Sequence, residues 1–385
     1  MAGRKPKSPS LQPEKGNFVS EWFGHRVFPT VSTNPASLAD QRRGGCPFLR
    51  EVTGEDRLCV KPPTSSGICT ISSCSNGPRQ DWLVCPYRAL DPNLLENAAG
   101  RLFRISRNRA TYIVPAPRLM REDVKNQLAG TVASGGVAIV YLQDKLGGEI
   151  SLPPTDRSPE LAFDITMAEI TYANGRPEIG RYGILEVQTM DFHGSYKNAV
   201  NNLKDGLRLH SERFPEVLQQ NPTWLSDRIE GPNIANVFKR TFYQMMLKFQ
   251  IAAHAPCAGC VLALPESVWG SWQRHLGKPE LQRGPGGMLI LRHPNCQTPL
   301  DQMPSWIYVF DVDPTSSATP SPIIVKSTIA TDAESISYYA LKVAPEAAIA
   351  EGGHSDRIVA TIRKRISALW PELGVRSSGV PDAKR

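Results

Sequence analysis

The chain has 385 residues, 41% of them apolar and 21% charged, which excludes a disordered or low-complexity protein and is typical of a globular one. Its 44 Lys and Arg outnumber its 37 Asp and Glu, and the net charge of +7 favours polyanionic partners. The longest apolar run, residues 136–142, is far shorter than the roughly 20 residues needed to cross a bilayer, and the basic N-terminus has no apolar signal segment. We therefore expect a cytoplasmic protein without a membrane partner.

Four regions follow one another along the sequence. Residues 1–16 mix Pro, Ser and Lys without apolar periodicity, which predicts a disordered basic tail. Residues 17–95 hold five of the eight cysteines and many Gly and Pro, and no pattern there predicts a helix longer than a turn or two. A loop-rich module of this kind needs a stabilising cross-link, such as a structural metal. Residues 96–370 are predicted to form the main core, and residues 371–385 a flexible basic tail.

Strand and helix patterns alternate in the main core. Runs rich in β-branched, aromatic and other apolar residues predict strands, and apolar residues spaced by three and four predict helices. We expect a mixed α/β fold in which helices flank a central sheet. The predicted strands are 137–142, 161–170, 182–189, 259–264, 288–291 and 306–312, and the predicted helices are 120–129, 267–276, 355–369 and a long one that begins near Pro232.

The long helix after Pro232 has a clear apolar face. Proline is favoured at a first helical position, and large apolar residues recur at helical spacing as far as Phe249. This spacing predicts one buried face. The opposite face is predicted to be solvated, and it carries Asn236, Lys239, Arg240 and Lys248.

Acidic side chains on two predicted strands suggest a site for chemistry. Asp164 precedes Glu186-Val187-Gln188 by 22 residues. Side chains at positions i and i+2 of a strand point to one face, so Glu186 and Gln188 project together and Asp164 on a neighbouring strand can join them. Oxygen ligands of this kind suit Mg²⁺, which activates water for phosphodiester hydrolysis. Taken alone, the same pattern also fits solvated strand residues, and Glu149, after the strand at 137–142, also fits a turn.

Five longer segments add a family resemblance. They are RYGILEVQTMDFHGSYK from Arg181, QDKLGGEIS from Gln143, EGPNIANVFKRTFYQM from Glu230, DWLVCPYRALDP from Asp81 and NFVSEWFGHRVFP from Asn17. Through them the chain resembles the type II restriction endonucleases of the PD-(D/E)XK nuclease superfamily. The resemblance covers about residues 17–276 and returns near 306–313.

The resemblance implies catalytic roles for particular residues. It makes Asp164 and Glu186 the Mg²⁺ ligands and Glu149 a further acid of the site. Gln188 stands where most members have lysine, and Phe163 stands where they have proline. Because glutamine is neither a base nor a cation, Gln188 is expected to orient the attacking water or the metal through its amide.

The resemblance also implies an architecture and partners. The expected fold is a PD-(D/E)XK core, a mixed central sheet flanked by helices, with a small N-terminal metal-binding module. The expected assembly is a homodimer on double-stranded DNA, because a palindromic site presents the same half twice. The implied target consists of G·C pairs, either GCGGCCGC or its inner CGGCCG, and a cognate DNA methyltransferase is a functional companion. A repair or mismatch nuclease on the same core, and a DNA-binding protein with vestigial acids, are the alternatives.

Candidate DNA contacts lie near the quoted segments. Basic side chains and Asn bind phosphates and guanine, and an acid can accept from cytosine. A solvated polar surface explains each of these residues equally well when it is taken singly. The candidates are Lys197, Asn233, Lys239, Arg240 and Asp191.

Four cysteines of the N-terminal region are candidate metal ligands. Cys46, Cys59, Cys69 and Cys85 are separated by 12, 9 and 15 residues, without a CxxC pair, and this spacing alone fits buried free thiols. The resemblance implies that the four hold one iron atom in a tetrahedral thiolate site. Zinc accepts the same ligands and stays open as the alternative.

Other cysteines and histidines are interpreted as structural. Cys257 and Cys260 form a CxxC pair without a second pair, between a buried helix and an apolar strand, so we expect them in the core. Cys74 falls outside the four-cysteine set. His25 and His193 are expected to form hydrogen bonds in loops.

Overall fold

The computed structural model describes residues 16–75, 77–313, 315–316, 318–350 and 354–371. The two predicted tails therefore lie almost entirely outside the described residues. The described chain is mixed α/β, with a large mixed sheet flanked by helices, which confirms the predicted fold class at this level. Within the described ranges no helix is both long and apolar enough to span a bilayer.

The strands include a central group that is buried on both faces. All residues from Gly259 to Pro265 are buried, as expected for a strand inside a sheet covered by helices. The strands in chain order are β1 (Phe18–Trp22), β2 (His25–Arg26), β3 (Ile68–Ser73), β4 (Gln80–Leu83), β5 (Thr111–Pro115), β6 (Val137–Leu142), β7 (Ile150–Leu152), β8 (Leu161–Phe163), β9 (Ile165–Ala173), β10 (Arg176–Val187), β11 (Phe192–Gly194), β12 (Ile229–Pro232), β13 (Cys257–Pro265), β14 (Gln282–Arg283), β15 (Leu289–Ile290), β16 (Ser305–Val312) and β17 (Ile323–Thr331).

Helix boundaries follow local capping signals. Before the helix Pro92–Leu102, the Asp91 side chain accepts a hydrogen bond from the Asn93 N–H, and Pro92 takes the first position. The α-helices in chain order are α1 (Pro35–Arg43), α2 (Pro47–Thr53), α3 (Pro92–Leu102), α4 (Glu122–Ala133), α5 (Lys197–Leu209), α6 (Phe214–Gln220), α7 (Ile234–Ala252), α8 (Glu266–His275), α9 (Ala333–Tyr338), α10 (Ala344–Ala350) and α11 (His354–Ser367).

The large sheet has nine strands in the order β14-β15-β17-β16-β13-β10-β9-β6-β5. Its centre is parallel, because β10 pairs with β13 and β13 with β16 in the same direction. On the other side of β10, β9 is antiparallel to both β10 and β6, and β6 pairs in parallel with the edge strand β5. The carboxyl end of β10 therefore lies beside the start of β9.

Two helical layers cover the two faces of this sheet. Ile184, Leu262 and Ile307 pack with α7 and α8 on one face. Leu185 and Tyr308 belong to the other face, which packs against α3. The alternation follows from the strand geometry, since successive side chains point to opposite faces. The α7 face carries the cleft described below.

The N-terminal region forms a four-stranded sheet in the order β2-β1-β3-β4. Helix α1 has nine residues, so the expectation of helices no longer than a turn or two was wrong there. Asn34 caps its start and Gly44 ends it in the left-handed conformation, with φ of 68°. Its buried residues are the polar Ser37, Asp40 and Gln41, so the apolar periodicity that predicts a helix is absent.

Several predicted elements shift when the chain folds. Strand 137–142 is confirmed as β6. The strand predicted at 161–170 is interrupted at Asp164, which separates β8 from β9. The helix predicted near Pro232 begins at Ile234, because Pro232 ends strand β12.

Candidate active site and cysteine cavity

A cleft of about 230 Å³ lies between the carboxyl end of β10 and helix α7. Its wall is mostly polar, which is unusual for a space against a sheet core and indicates binding of a polar group. It is called the acidic cleft below. The polar side chains that line it are Asp164, Glu186, Gln188, Thr189, Asp191, Asn233, Arg240, Thr241, Gln244 and Lys248.

Strand alternation places the two acids of the predicted motif together. Glu186 and Gln188 lie two positions apart and both line the acidic cleft, as predicted. Asp164 directly precedes β9, and its neighbour Ile165 pairs with Leu185 of β10. This register puts Asp164 opposite Glu186.

Asp164 and Glu186 bind each other's backbone. The Asp164 N–H donates to Glu186 Oε1 at 3.2 Å, and Asp164 Oδ2 accepts from the Val187 N–H at 2.9 Å. Each carboxylate is thus fixed by the strand that carries the other. This reciprocal pair holds the two acids in one orientation without any ligand.

A buried lysine completes the pair. Lys248 of α7 is 3% exposed, and its Nζ donates to Glu186 Oε2. Its ammonium also lies 5.8 Å from the centre of the Phe163 ring. The prediction that Lys248 belongs to a solvated face was wrong, because that position of α7 points at the end of β10.

Burial changes the protonation of the two acids. It raises the pKa of Glu186 to about 7, and the nearby Asp164 charge adds to the rise, while Lys248 opposes it. Burial also raises the pKa of Asp164, against the Val187 N–H and Lys248, which lower it. Two close, buried carboxylates resist being ionised at the same time. A cation bound between them would stabilise their ionised forms.

The Gln188 amide is also held in place. Thr241 of α7 donates its hydroxyl to Gln188 Oε1, and Gln188 Nε2 donates to the Thr189 carbonyl. An amide has two donor hydrogens and two acceptor lone pairs, so one of each stays available to a ligand. Gln188 is therefore a fixed polar group beside the acid pair.

The donor set of the acidic cleft fits Mg²⁺. This ion usually takes one or two carboxylates and keeps waters and substrate phosphates as its other ligands. Asp164 and Glu186 supply two carboxylates, and the cleft leaves space beside them. Throughout the described ranges, no three His, Cys, Asp or Glu side chains are arranged to hold a metal by themselves, so the protein does not form a closed cage.

Glu149 lies at the margin of the site. It is exposed, and burial followed by the Asp164 charge raises its pKa. It is therefore within electrostatic reach of Asp164, although it does not line the acidic cleft.

The candidate DNA contacts divide into two groups. Asp191, Asn233 and Arg240 line the acidic cleft. Lys197, the first residue of α5, and Lys239 of α7 are exposed and lie outside its lining.

Sequence reasoning missed several polar residues of the cleft, among them Thr241 and Lys248. With Val237 and Gln244 these two follow the spacing i, i+4, i+7 and i+11, which places them on one helix face. Such a mixed stripe beside an apolar face is a signal that a helix covers a charged strand end. This stripe was not recognised in the sequence because Lys248 is its only charged residue and the neighbouring positions of the helix are apolar.

The four candidate metal cysteines come together in the N-terminal region. Cys46, Cys59, Cys69 and Cys85 all line one small space, called the cysteine cavity, of about 10 Å³. That is about the room that a single water-sized atom occupies. None of the eight cysteines, all of which lie in the described ranges, forms a disulfide. As in the acidic cleft, the described side chains contain no ready-made group of three metal ligands here.

Donors surround the cysteine cavity. The Gly67 N–H donates to Cys59 Sγ at 3.3 Å. Cys46 and Cys85 directly precede α2 and a 3₁₀ turn at Pro86–Ala89. Burial raises the pKa of Cys46 to about 12 although backbone N–H groups of α2 oppose the rise, whereas the pKa of Cys85 is lowered to about 6. A hydrogen bond from Cys69 lowers the pKa of Cys85.

A lysine is fixed beside the same cavity. Lys61 lines it and donates to the Ile68 carbonyl at 2.8 Å and to the Val84 carbonyl at 3.0 Å. Its charge also lowers the pKa of Cys85. The chemistry of this donor set fits a thiolate-bound metal.

The remaining predictions for cysteine and histidine have mixed outcomes. Cys260 is fully buried and Cys257 half-buried, and both lie in β13. Cys74 does not line the cysteine cavity. His25 forms hydrogen bonds as expected, with Asp40 at 2.9 Å and Thr319 at 2.6 Å, but it lies buried in β2 and not in a loop.

Comparison with known proteins assigns no family to this chain. No family model matches the sequence, and no curated protein matches it significantly.

Proposed function

We propose that this chain is a Mg²⁺-dependent type II restriction endonuclease with a PD-(D/E)XK core, which cleaves both strands of DNA at a palindrome of G·C pairs. The observation that carries the proposal is the reciprocal pairing of Asp164 and Glu186 with the buried Lys248 against it. Two carboxylates, a cation and an amide in one polar cleft form a set that suits phosphodiester hydrolysis.

Each residue of the acidic cleft has its own role in the proposed hydrolysis. Asp164 and Glu186 would hold the metal, which when bound lowers the pKa of water and offsets charge on the phosphate. Lys248 keeps Glu186 oriented and places a positive charge where a phosphate oxygen becomes more negative. Gln188, fixed by Thr241, presents an amide to orient the attacking water. Glu149 lies at the margin as a further acid.

The lysine of the family motif has a substitute in this proposal. Gln188 cannot supply a positive charge, whereas Lys248 brings one to the same cleft from α7. The charge of the motif is thus retained although its position in the sequence differs.

The rim of the cleft suits DNA. Arg240 and Asn233 line it with donors for phosphate or guanine, and Asp191 adds an acceptor for cytosine. Lys197 and Lys239 are proposed as phosphate contacts farther out. A palindromic duplex would be read by a homodimer, and the enzyme would act in the cytoplasm beside a cognate methyltransferase.

The cysteine cavity is proposed as a structural metal site. Convergence of Cys46, Cys59, Cys69 and Cys85, the space for one atom and the surrounding N–H donors support it. Iron is the first candidate and zinc the second, because both accept four thiolates. The metal would cross-link the N-terminal region and stabilise its fold.

Digestion of a defined plasmid in Mg²⁺ tests the nuclease. The expected result is discrete bands whose ends share a G·C palindrome, GCGGCCGC or CGGCCG. A smear, or cutting that depends on mismatches, would indicate a repair nuclease on the same core. Intact DNA at every divalent cation concentration would leave only a DNA-binding protein with vestigial acids.

Methylation gives a second arm to the same experiment. A methyl group on cytosine C5 occupies the major groove, where it displaces close polar contacts. Prior CpG methylation of the plasmid should therefore block cutting, whereas methylation at adenine should not. Equal cutting of CpG-methylated and unmodified DNA would refute the proposed G·C readout.

A further inference from the structure

A second charged groove lies on the opposite face of the nine-stranded sheet. Arg101, Arg104, Arg107 and Arg109 line it, and it is called the arginine groove below. Its volume is about 950 Å³, roughly four times that of the acidic cleft. Three of these arginines are exposed and Arg101 is half-buried.

The sheet separates the arginine groove from the acidic cleft. Trp306 and Tyr308 of β16 line the groove and pack in the cluster of α3. Between them Ile307 points the other way, into the cluster of α7, whose residues line the acidic cleft. A straight DNA segment in the acidic cleft cannot reach this other face.

The shape of the groove fits a polymer. Its lining extends from Thr111 of edge strand β5 to Thr328 of β17, which are six strands apart. At about 4.8 Å per strand this is a span of roughly 29 Å. A small anion would need a compact pocket, whereas a span of this length accommodates several consecutive phosphates.

The charges of the groove are not neutralised by neighbouring acids. Its lining contains four arginines but only two acids, Glu96 and Asp301. In the described part of the chain none of the four arginines takes part in an ion pair. Positive charge therefore concentrates along this face.

Arg104, Arg107 and Arg109 lie in the loop between α3 and β5, residues 103–110, which is called the arginine loop. Arg104 has a φ of 53°, in the left-handed region where arginine is uncommon. Arg109 is fixed by hydrogen bonds to the Gly135 carbonyl at 2.7 Å and the Gly136 carbonyl at 3.4 Å. The loop thus presents its guanidinium groups from a defined backbone.

The aromatic residues decide between single strands and duplex. Proteins that bind single strands expose aromatic faces on which bases stack. Trp306 and Tyr308 are only 3% and 2% exposed, so their rings cannot serve as stacking platforms, and the third aromatic residue of the lining, Tyr112, is half-buried. One partly exposed ring does not stack a series of bases, so the groove offers mainly contacts to phosphates, which suits duplex DNA.

We infer that the arginine groove binds the phosphate backbone of a second DNA duplex, independently of sequence, while the acidic cleft holds the first. The inference goes beyond the proposed nuclease activity, and it rests on the proposed function in one respect, because the acidic cleft must hold the first duplex. One protein particle would then bridge two DNA segments.

A bridging assay in EDTA tests this inference without cleavage. A biotinylated 30-base-pair duplex with GCGGCCGC at its centre is held on beads and is incubated with the full chain and with a second, fluorescent duplex that contains no G·C palindrome. The wild-type protein should retain the fluorescent duplex. R104Q/R107Q should reduce this retention about tenfold and lower the salt dependence of binding by a slope of about two.

Matched variants separate the groove from net charge. R176Q/R283Q removes the same charge from exposed arginines outside both the groove and the cleft, and should bridge normally. R104K/R107K keeps the charge and should retain most bridging. Thermal unfolding of each variant checks that it is folded.

Several results would overturn the inference. They are undiminished bridging by R104Q/R107Q, an equal loss in R176Q/R283Q, and no bridging by a wild type whose binding to the bead duplex is left unchanged by R104Q/R107Q. Absent bridging with bead binding that R104Q/R107Q abolishes would instead place the failure in the acidic cleft and in the proposed function. Displacement of the fluorescent duplex by single-stranded DNA at equal nucleotide concentration would assign the groove to single strands instead. Because no step requires cleavage, a failure of the proposed nuclease activity would be seen separately in the plasmid digest.

Discussion

The acidic cleft and the cysteine cavity both gather candidate metal ligands, but they hold them differently. In the acidic cleft each ligand has a partner within the protein, namely a backbone N–H, Lys248 or Thr241. In the cysteine cavity the four cysteines line a space for one atom, and the Gly67 N–H donates to Cys59 Sγ.

Different interactions fix the positions of the candidate ligands in the two sites. The acidic cleft is preorganised by hydrogen bonds across two strands, so its geometry does not depend on a cation. The cysteine cavity brings together four thiols that would become mutually repelling thiolates, and only a metal would compensate that repulsion. We therefore expect the metal to matter for chemistry in the first site and for folding in the second.

Removal of either acid should have the largest effect. Asp164→Asn and Glu186→Gln should each reduce Mg²⁺-dependent cleavage by a factor of about 10³ or more, with DNA binding largely kept. Glu178→Gln is the matched control, because Glu178 is an exposed residue of the same strand β10. Single-turnover cleavage and a DNA-binding titration measure both quantities. Wild-type rates in either acid variant would refute the assignment of the acidic cleft.

Removal of the buried cation should come next. Lys248→Met should slow cleavage by about 10²- to 10³-fold, because the charge beside Glu186 is lost. It should also displace the pH profile to higher pH, because Lys248 lowers the pKa of Glu186. Lys204→Met on α5, an exposed lysine outside the acidic cleft, is the control. A slower variant with an unchanged pH profile would indicate a purely structural lysine.

The pKa of Glu186, about 7, makes Mg²⁺ binding depend on pH. Below pH 7 a proton competes with the cation, so affinity should fall about tenfold per pH unit. In the metal-free protein the folded pKa lies above the ordinary value of 4.5, so Glu186 should lower the free energy of unfolding as pH rises from about 4.5 to 7. Thermal shifts with and without Mg²⁺ between pH 5.5 and 8 measure both trends, and Glu186→Gln should abolish them.

Loss of the hydroxyl that holds Gln188 should have a smaller effect. Thr241→Val frees the Gln188 amide to rotate, and we expect cleavage to fall by about tenfold with unchanged folding. Thr241→Ser keeps a hydroxyl and should recover most of the rate. Equal loss in both variants would contradict a positioning role for this hydrogen bond.

Changes in the cysteine cavity should affect the chemistry least. Cys69→Ser should remove the one tightly bound metal per chain and lower the thermal stability of the N-terminal region, while each folded molecule keeps nearly its full cleavage rate. Cys74→Ser should retain the metal, because Cys74 lies outside the cavity. Elemental analysis and, for iron, the thiolate charge-transfer colour measure this. Absence of both iron and zinc from wild-type protein would remove the proposed site.

Elements with strong local patterns could be predicted from the amino-acid sequence alone. Strand β6 was predicted at its observed bounds, and the i, i+2 relation of Glu186 and Gln188 placed both on one face. Both depend only on the alternation of side chains along a strand. Helix α1 was not predicted because its buried residues are polar, so that no apolar stripe marks it in the sequence. Its ends are fixed by the caps Asn34 and Gly44.

Contacts between residues that are distant in the sequence depend on the folded arrangement of strands and helices. Asp164 faces Glu186 because of the register between β9 and β10, and Lys248 reaches them because α7 crosses the end of β10. Spacing along one chain cannot tell a solvated helix face from one that covers a charged strand end, since both are polar at helical period. Burial and the contact partner make that distinction, and they exist only in the folded chain.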